Sequence, residues 1–478
     1  MTDVIKNKDK RIHSVADAMA LYAPPPAAFT GKLGLEVEMA LFQSGVEGIA
    51  IPDAKTVMAL HKELKEKGHD AQLEAAGVLE YASPPADVKD VAGLVARIKS
   101  DITAFEEAAA DKGFTRAPFS ILPTTTVKQA LDNKISRERL EASLAVITEA
   151  LDPSLIRIPL LTTGVQTSFS PKDNDELFRM AGRGYALTPL LIAATNSSGG
   201  YVENNPVRDD SHLRSTFYKA YGPSGGIAES FLKASDPETF VRNHVEAVFD
   251  APMFFAYDHD GSLIRSTRDD VLTFRKLQDR GLNTQSNFEL AETFIYNDIK
   301  ICNLRDETGQ VVGKRLEVRA ADSGLHQPVS ALLLTAALVP DGETGQKFDT
   351  LLKEYGFTGN PAQDAGLLQS ARDAVVNHGG RFMDVPFGRD PQTGAALSLR
   401  DFAADVAGLV VGHFAADKSL AADVSKLADI LLTGECDAKV FATRYRSLGE
   451  VTEALKGMDA RGVTPTAKPA SMGVKRAL

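Results

Sequence analysis

The sequence predicts an α+β fold, with mixed strands and helices to about residue 325 and a helical C-terminal layer after it. Three observations predict it. Leu35, Val37 and Met39 alternate with Glu36, Glu38 and Ala40, the period-2 pattern of a strand with one polar face. Single charged residues, Glu80 and Glu317, stand inside two further apolar strand-like runs. After Pro328 the chain turns into Ala/Leu-rich segments of helical character.

The elements follow in order. Residues 13–22 read as a short helix, stopped by Pro24-Pro25-Pro26. The strand carrying Glu36 and Glu38 comes next, then a helix over 53–67 with Asp53 as its N-cap. Residues 71–83 read as strand, turn and strand, with Gly77 at the turn, and 87–112 as a long amphipathic helix. A helix over 138–150, a strand over 161–170 and a helix from Asp173 to Ala194, interrupted near Pro189, continue the body. Helices at 237–249 and 287–296 and strands at 253–257, 299–304 and 314–321 complete it. Helical segments are expected at 329–340, 345–355, 364–377, 399–413, 419–432 and 437–456. The expected organisation is an arm over 1–29, a catalytic body over 30–325, a helical region over 326–460 packed on it, and a flexible tail over 461–478.

Composition excludes several classes. The 478 residues are 44% hydrophobic, enough for one large domain or two ordinary ones. The formal net charge of -11 removes the basic footprint of a nucleic-acid binder and repels anionic substrates at long range. A phosphate site therefore needs local Arg, Lys or bound cations. Cys302 and Cys436 are too few for a disulfide framework and read as reduced thiols. No apolar h-region follows the charged N-terminus, and the apolar stretch from Ser330 to Pro340 is too short to span a bilayer. The expected location is the cytoplasm, with no membrane partner. No GxxxxGK[ST], helix-opening GxGxxG or HExxH is present, so P-loop, dinucleotide and zincin chemistry are not indicated.

The carboxylates carry the functional signal. Glu36 and Glu38, at i and i+2 of a strand, share a face and repel each other unless neutralised. A divalent cation with oxygen ligands is one such agent; a solvent-facing strand is the plain alternative. Glu74 and Glu80 flank the Gly77 turn, and Glu317 and Arg319 form another i, i+2 pair. Arg319 is either a surface salt-bridge partner or a phosphate-binding guanidinium beside a metal-binding carboxylate. Gln166 faces the same site or solvent, Arg214 clamps a carboxylate or is a surface cation, and Asn196 opens a loop suited to a substrate contact or a turn.

At these residues the sequence resembles the glutamate–cysteine ligase family of the plant and proteobacterial type. Gly34-Leu35-Glu36-Val37-Glu38 resembles that family's G-x-E-x-E strand, and Leu73-Glu74-Ala75-Ala76-Gly77-Val78-Leu79-Glu80 its L-E-x-G-G-Q-x-E segment. Thr163 to Phe169 resembles its T-x-Q-V-N strand, Leu187 to Ser197 its A-N-S-P helix end, and Leu213-Arg214-Ser215 its M-R-S step. Asp250 to Phe255, Asn287 to Leu290 and Leu316 to Gly324 are similar to D-V-P-M-Y-F, W-E-N-H-L and L-E-M-R-G-A-D-G-G. The chain departs from the pattern at Thr167-Ser168, at Tyr81-Ala82 and at Tyr221 to Gly226, where the family's D-x-x-R-x-G arginine is missing.

The resemblance implies a curved, mainly antiparallel sheet flanked by helices, as in the catalytic domain of glutamine synthetases. It implies ATP as co-substrate, two or more Mg2+ ions, and formation of γ-glutamylcysteine from glutamate and cysteine through a γ-glutamyl phosphate, a step of glutathione synthesis. Glu36, Glu38, Glu74, Glu80 and Glu317 are then the metal-ligand candidates. Arg319 stabilises the transferring phosphoryl group, Arg214 and Asn196 hold substrate, and Gln166 supports the metal or nucleotide. Alternatives are a glutamate ligase with a different amine acceptor, a phosphotransferase on a related fold, and a nucleotide-binding relative that forms no amide.

Overall fold

The computed structural model describes residues 10–45, 48–207, 212–218, 225–378, 383–445 and 447–458. Residues 1–9 of the expected arm, Tyr221 to Ser224 and the expected tail over 461–478 lie outside the described residues.

A curled antiparallel half-barrel sheet, backed by helices, forms the body. Its strands are β1 (Lys32–Gly45), β2 (Gly48–Ala50), β3 (Ala71–Leu73), β4 (Val78–Ala82), β5 (Ala86–Asp87), β6 (Thr115–Arg116), β7 (Gly164–Phe169), β8 (Ile299–Arg305) and β9 (Val311–Asp322). The path runs β8-β9-β7-β1-β4-β3, with β2, β5 and β6 also pairing with β1. All of these pairs are antiparallel.

The period-2 pattern sorts the two faces. Leu35, Val37 and Met39 are buried, and the register sets Thr167, Val165, Tyr81 and Leu79 beside them. Leu316 and Val318 extend this apolar face across β9. The helices Asn174–Thr195 and Gln327–Leu338 pack behind the sheet. Gly184 permits the first of these contacts, because a Cβ there would stand 2.8 Å from Ile299 Cδ1.

Three expectations change. The helix Asn174–Thr195 runs through Pro189 without a break. Proline removes the N–H that would bond the Tyr185 carbonyl, but burial of Leu187, Leu190 and Leu191 on either side holds the helix in place. The segment expected as one helix over 437–456 is two, Asp437–Arg444 and Leu448–Lys456, the second capped by the Ser447 hydroxyl. The span between the helices expected at 364–377 and 399–413 carries a small hairpin, Pro386–Arg389 with Ala396–Ser398. No helix among the described residues is long and apolar enough to cross a membrane.

Behind the sheet a buried ion pair ties five elements together. Lys314 of β9 donates to both Glu292 oxygens at 2.6 and 2.8 Å and to Asn303 of β8 at 2.8 Å. Glu292 stands on the helix Gln285–Thr293 and also accepts from the Tyr22 hydroxyl. His244, from the helix Pro237–Asp250, lies 3.8 Å away. Burial pushes the Glu292 carboxyl up, but Lys314 and His244 outweigh it and hold it at about 2. Removing one partner of a buried pair leaves an uncompensated charge, whereas replacing both with apolar groups is often neutral. Lys314→Met is expected to cost about 3–5 kcal/mol in urea unfolding. Adding Glu292→Leu should return most of that loss. A single variant as stable as the parent would show that the pair does not hold these elements together.

Candidate active site

The opposite face of the sheet is polar, and its register collects the acidic residues. One row across it runs Lys300, Glu317, Ser168 and Gly34. The next runs Gln166, Glu36 and Ala82, and a third runs Glu38, Glu80 and Gln72. Glu74 enters from the turn between β3 and β4, where Gly77 at φ +67° makes the reversal. Burial and the nearby Glu38 charge both act on Glu74.

Arginines neutralise one end of this face. Arg315 bridges Glu36 at 3.2 Å and Glu317 at 2.9 Å. Arg319 donates to both Glu317 and Gln166. It sits in a bulge: the β9–β7 register passes from Val318 opposite Thr167 to Ala321 opposite Val165. The extra residue re-aims the Arg319 side chain along the face. Glu317 is 2% exposed, and burial alone would raise its pKa. Arg315 and Arg319 outweigh burial and hold it at about 2, as a permanent anion.

Away from Glu317 this compensation is incomplete. Burial, then Glu317, raises the Glu36 carboxyl, with Arg315 and Arg319 partly offsetting them. Burial and Glu38 push Glu74 up to about 7, with Arg137 offsetting part of the rise. For Glu80, 8% exposed, burial and the carboxylates of Glu74, Glu36, Glu38 and Glu317 all act the same way and raise it well above the usual range. Among the described residues no three acidic, His or Cys groups close into a ready-made cation cage. The donor set still fits Mg2+, which takes hard carboxylate oxygens and relieves the mutual repulsion that these groups show.

Gln166 and Glu38 are tied to each other. Gln166 Nε2 donates to Glu38 Oε1 at 3.1 Å, and the Gly164 N–H donates to Glu38 Oε2 at 2.6 Å. Gly164 has no side chain for a reason: a Cβ there would lie 2.6 Å from the Arg214 guanidinium carbon. Arg214, on the helix Leu213–Tyr218, is 3% exposed and donates to the Arg319 carbonyl at 2.6 Å. It also stacks over the Tyr218 ring at 5.0 Å. The Nε–H groups of Arg214 and Arg319 are buried and meet no hydrogen-bond acceptor among the described residues. Two such donors beside a carboxylate cluster suit an anionic ligand.

The structure therefore gathers Glu36, Glu38, Glu80, Gln166, Glu317 and Arg319 on one face, with Glu74 and Arg214 at its edge. Asn196 stands apart. It caps the helix Asn174–Thr195, is fully buried, and accepts from the Ser198 N–H at 3.0 Å. None of its hydrogen bonds reaches another candidate.

Sequence reasoning passed over Arg315, although it stands two residues before Glu317 and shares its face by the same i, i+2 rule. It also missed Asp322 and His212, both fully buried, with His212 Nε2 3.0 Å from Asp322 Oδ1. Asp322 Oδ2 accepts from the Ser120 hydroxyl at 2.8 Å and the Ser197 N–H at 3.1 Å. No local pattern announces that network, because its partners are far apart in sequence.

No family model matches the chain, and no curated protein sequence does. Among solved structures it is similar to glutamate–cysteine ligase from Francisella tularensis in complex with AMP, with a TM-score of 0.53 at 12% identity over 93% of this chain and 91% of that one. The complex of the prokaryotic ubiquitin-like protein Pup with its ligase PafA matches with a TM-score of 0.34 at 11% identity, over 92% of this chain and 74% of that one. The fold of this chain is that of the glutamate–cysteine ligase structure, a curled antiparallel sheet with helices behind it.

Proposed function

We propose that the chain is an ATP- and Mg2+-dependent carboxylate–amine ligase that activates the side-chain carboxylate of glutamate, with cysteine as the first acceptor to test. One observation carries this reading. A fully buried Glu317 is held as an anion between two arginines, while Glu36, Glu74 and Glu80 on the same face are raised by burial and mutual repulsion. That is a face built for cations at one end and phosphate at the other. The fold shared with a glutamate–cysteine ligase supports it.

The chemistry follows from phosphoryl transfer, which needs positioning and charge neutralisation more than a nucleophilic side chain. A glutamate side-chain oxygen attacks the γ-phosphorus, the bond to the bridging β,γ-oxygen breaks, and ADP leaves. The amine nitrogen then attacks the acyl carbon, inorganic phosphate leaves, and the nitrogen loses its proton as the amide forms. Glu36, Glu38, Glu74, Glu80 and Glu317 would hold Mg2+, which neutralises the triphosphate charge when bound. Arg319, steered by Glu317 and Gln166, faces the equatorial oxygens of the moving phosphoryl group. Arg214 presents its free Nε–H to the glutamate α-carboxylate. Gln166 fixes the Glu38 carboxylate through its amide nitrogen.

Incubation with ATP, Mg2+, glutamate and separate amines should give ADP only when glutamate and an accepted amine are both present, with the γ-glutamyl amide identified by mass. Arg319→Met should lower kcat by about 10³-fold, assayed at a temperature where circular dichroism shows the variant folded, because the buried Glu317 then keeps only Arg315 as its partner and the melting temperature falls. ADP release that is independent of glutamate would sink the ligase reading.

The raised carboxyls set a pH dependence for the metal. In the metal-free fold Glu74 and Glu80 keep protons that the unfolded chain, with glutamate pKa near about 4.3, has already lost. Their contribution to stability is therefore full below about pH 4.3 and falls as pH rises through the folded values, about 7 for Glu74. Mg2+ competes with these protons, so its stabilising effect should grow between pH 6 and pH 8 in thermal melts. Glu80→Gln should raise the metal-free melting temperature at pH 8 and abolish most of the Mg2+-induced shift. A shift of parental size in that variant would remove Glu80 from the metal set.

A further inference from the structure

The helix Pro361–His378 belongs to the C-terminal layer, yet one of its side chains reaches Asp298, the residue that leads into β8. Arg372 is 1% exposed and grips the Asp298 carboxylate with two nitrogens, Nη2 standing 3.1 Å from Oδ1. Its guanidinium also lies against Gly226, where a Cβ would come within 3.1 Å of Cζ. Asp298 in turn works through its backbone. Its N–H donates to the Gly226 carbonyl and its carbonyl accepts from the Arg319 N–H, each at 2.8 Å.

That last bond matters because Arg319 stands in the bulge, where the ladder to β7 is broken. Its N–H is satisfied by Asp298 and its carbonyl by Arg214 at 2.6 Å. The same C-terminal helix holds the second of these contacts as well. The Val376 carbonyl accepts from the His212 N–H at 3.2 Å, two residues before Arg214. One helix from outside the sheet thus steadies both sides of the Arg319 peptide.

We propose that Arg372 is a positioning residue, which, through Asp298, fixes the bulge that aims Arg319, so that the C-terminal helical layer is part of the active centre. A bidentate Arg–carboxylate pair fixes orientation as well as distance, and neither lysine nor an apolar pair reproduces that. The assignment rests on the ligase reading only for its kinetic readout.

The test separates structure from positioning. Arg372→Met alone strands a buried carboxylate, so the double variant R372M/D298L is the main probe, since apolar replacement of a buried pair is often neutral to folding. It should melt close to the parent. Its kcat should fall roughly 10–100-fold, the cost of a misplacement of about 1 Å, while KM for ATP and glutamate stays within about twofold. R372K, which keeps the charge without the fork, should fall between the two. In the crystal structure of R372M/D298L the Arg319 guanidinium should leave Glu317 and Gln166. Parental kcat in the double variant or in R372K, or an unmoved Arg319 in the crystal structure, overturns the proposal. A parent that is inactive with every amine sinks the ligase reading instead, and the position of Arg319 in the variant structure then decides this one.

Discussion

Like charge held at close range on one side of a sheet is the constraint around which this molecule is organised. Strand alternation puts Glu36 and Glu38 together, and antiparallel pairing brings Glu80 opposite Glu38 and Gln166 opposite Glu36. Burial pushes the pKa of carboxylates so placed upward, and their mutual repulsion adds to the rise. A flexible loop would relieve that strain by moving apart. A sheet interior does not, because each side chain is anchored by a backbone that is hydrogen-bonded on both sides. The repulsion is therefore retained, and it becomes a standing affinity for positive charge.

Retaining it requires a rigid support, which lies on the other face. The apolar set of Leu35, Val37, Met39, Val165, Leu316 and Val318 is closed by helices and buried almost completely. Buried polar pairs are placed where the backbone needs fixing: the ion pairs of Lys314 with Glu292 behind β9 and of Arg372 with Asp298 beside the bulge, and the contact of His212 with Asp322 at the end of β9. Buried pairs contribute little net stability compared with apolar packing, but they discriminate between nearby arrangements. In this chain the last two of them bracket the two residues, Arg319 and Arg214, that carry the cationic half of the site.

How much of this could be read from the sequence follows from the range of each interaction. The polar face was legible because i, i+2 spacing is a local rule, so Glu36 with Glu38 and Glu317 with Arg319 could be paired without knowing the fold. The gathering of three strands into one face was an inference from single charges in apolar runs, and the register supplies it. The bulge at Arg319, the reach of Arg372 and the His212–Asp322 contact depend on residues separated by tens to hundreds of positions, and no periodicity encodes them. Gly164 is instructive: nothing in its neighbours marks it, and its need for a bare Cα appears only once Arg214 crosses over it. Pro189 misled in the opposite direction, because tertiary burial overrode a local helix-breaking signal.

The face is also graded, which gives it a direction. At the Arg315 and Arg319 end a carboxylate is held at about 2 by those two cations, and at the Glu74 end one is pushed up to about 7 by burial and then by Glu38. A polyanion alone would be drawn to the first end and repelled from the second. Cations alone would prefer the reverse. A triphosphate carrying bound cations would, on the ligase reading, suit both ends at once, with Glu38, Glu74 and Glu80 holding the cations and Arg319 near the transferable phosphorus. On the ligase reading, charge placement of this kind orients the nucleotide before any base-specific contact is made. It also explains why the arginines, more than the glutamates, require bracing: a cation bridges several oxygens and tolerates small shifts, whereas a planar guanidinium aimed at a trigonal phosphoryl group does not.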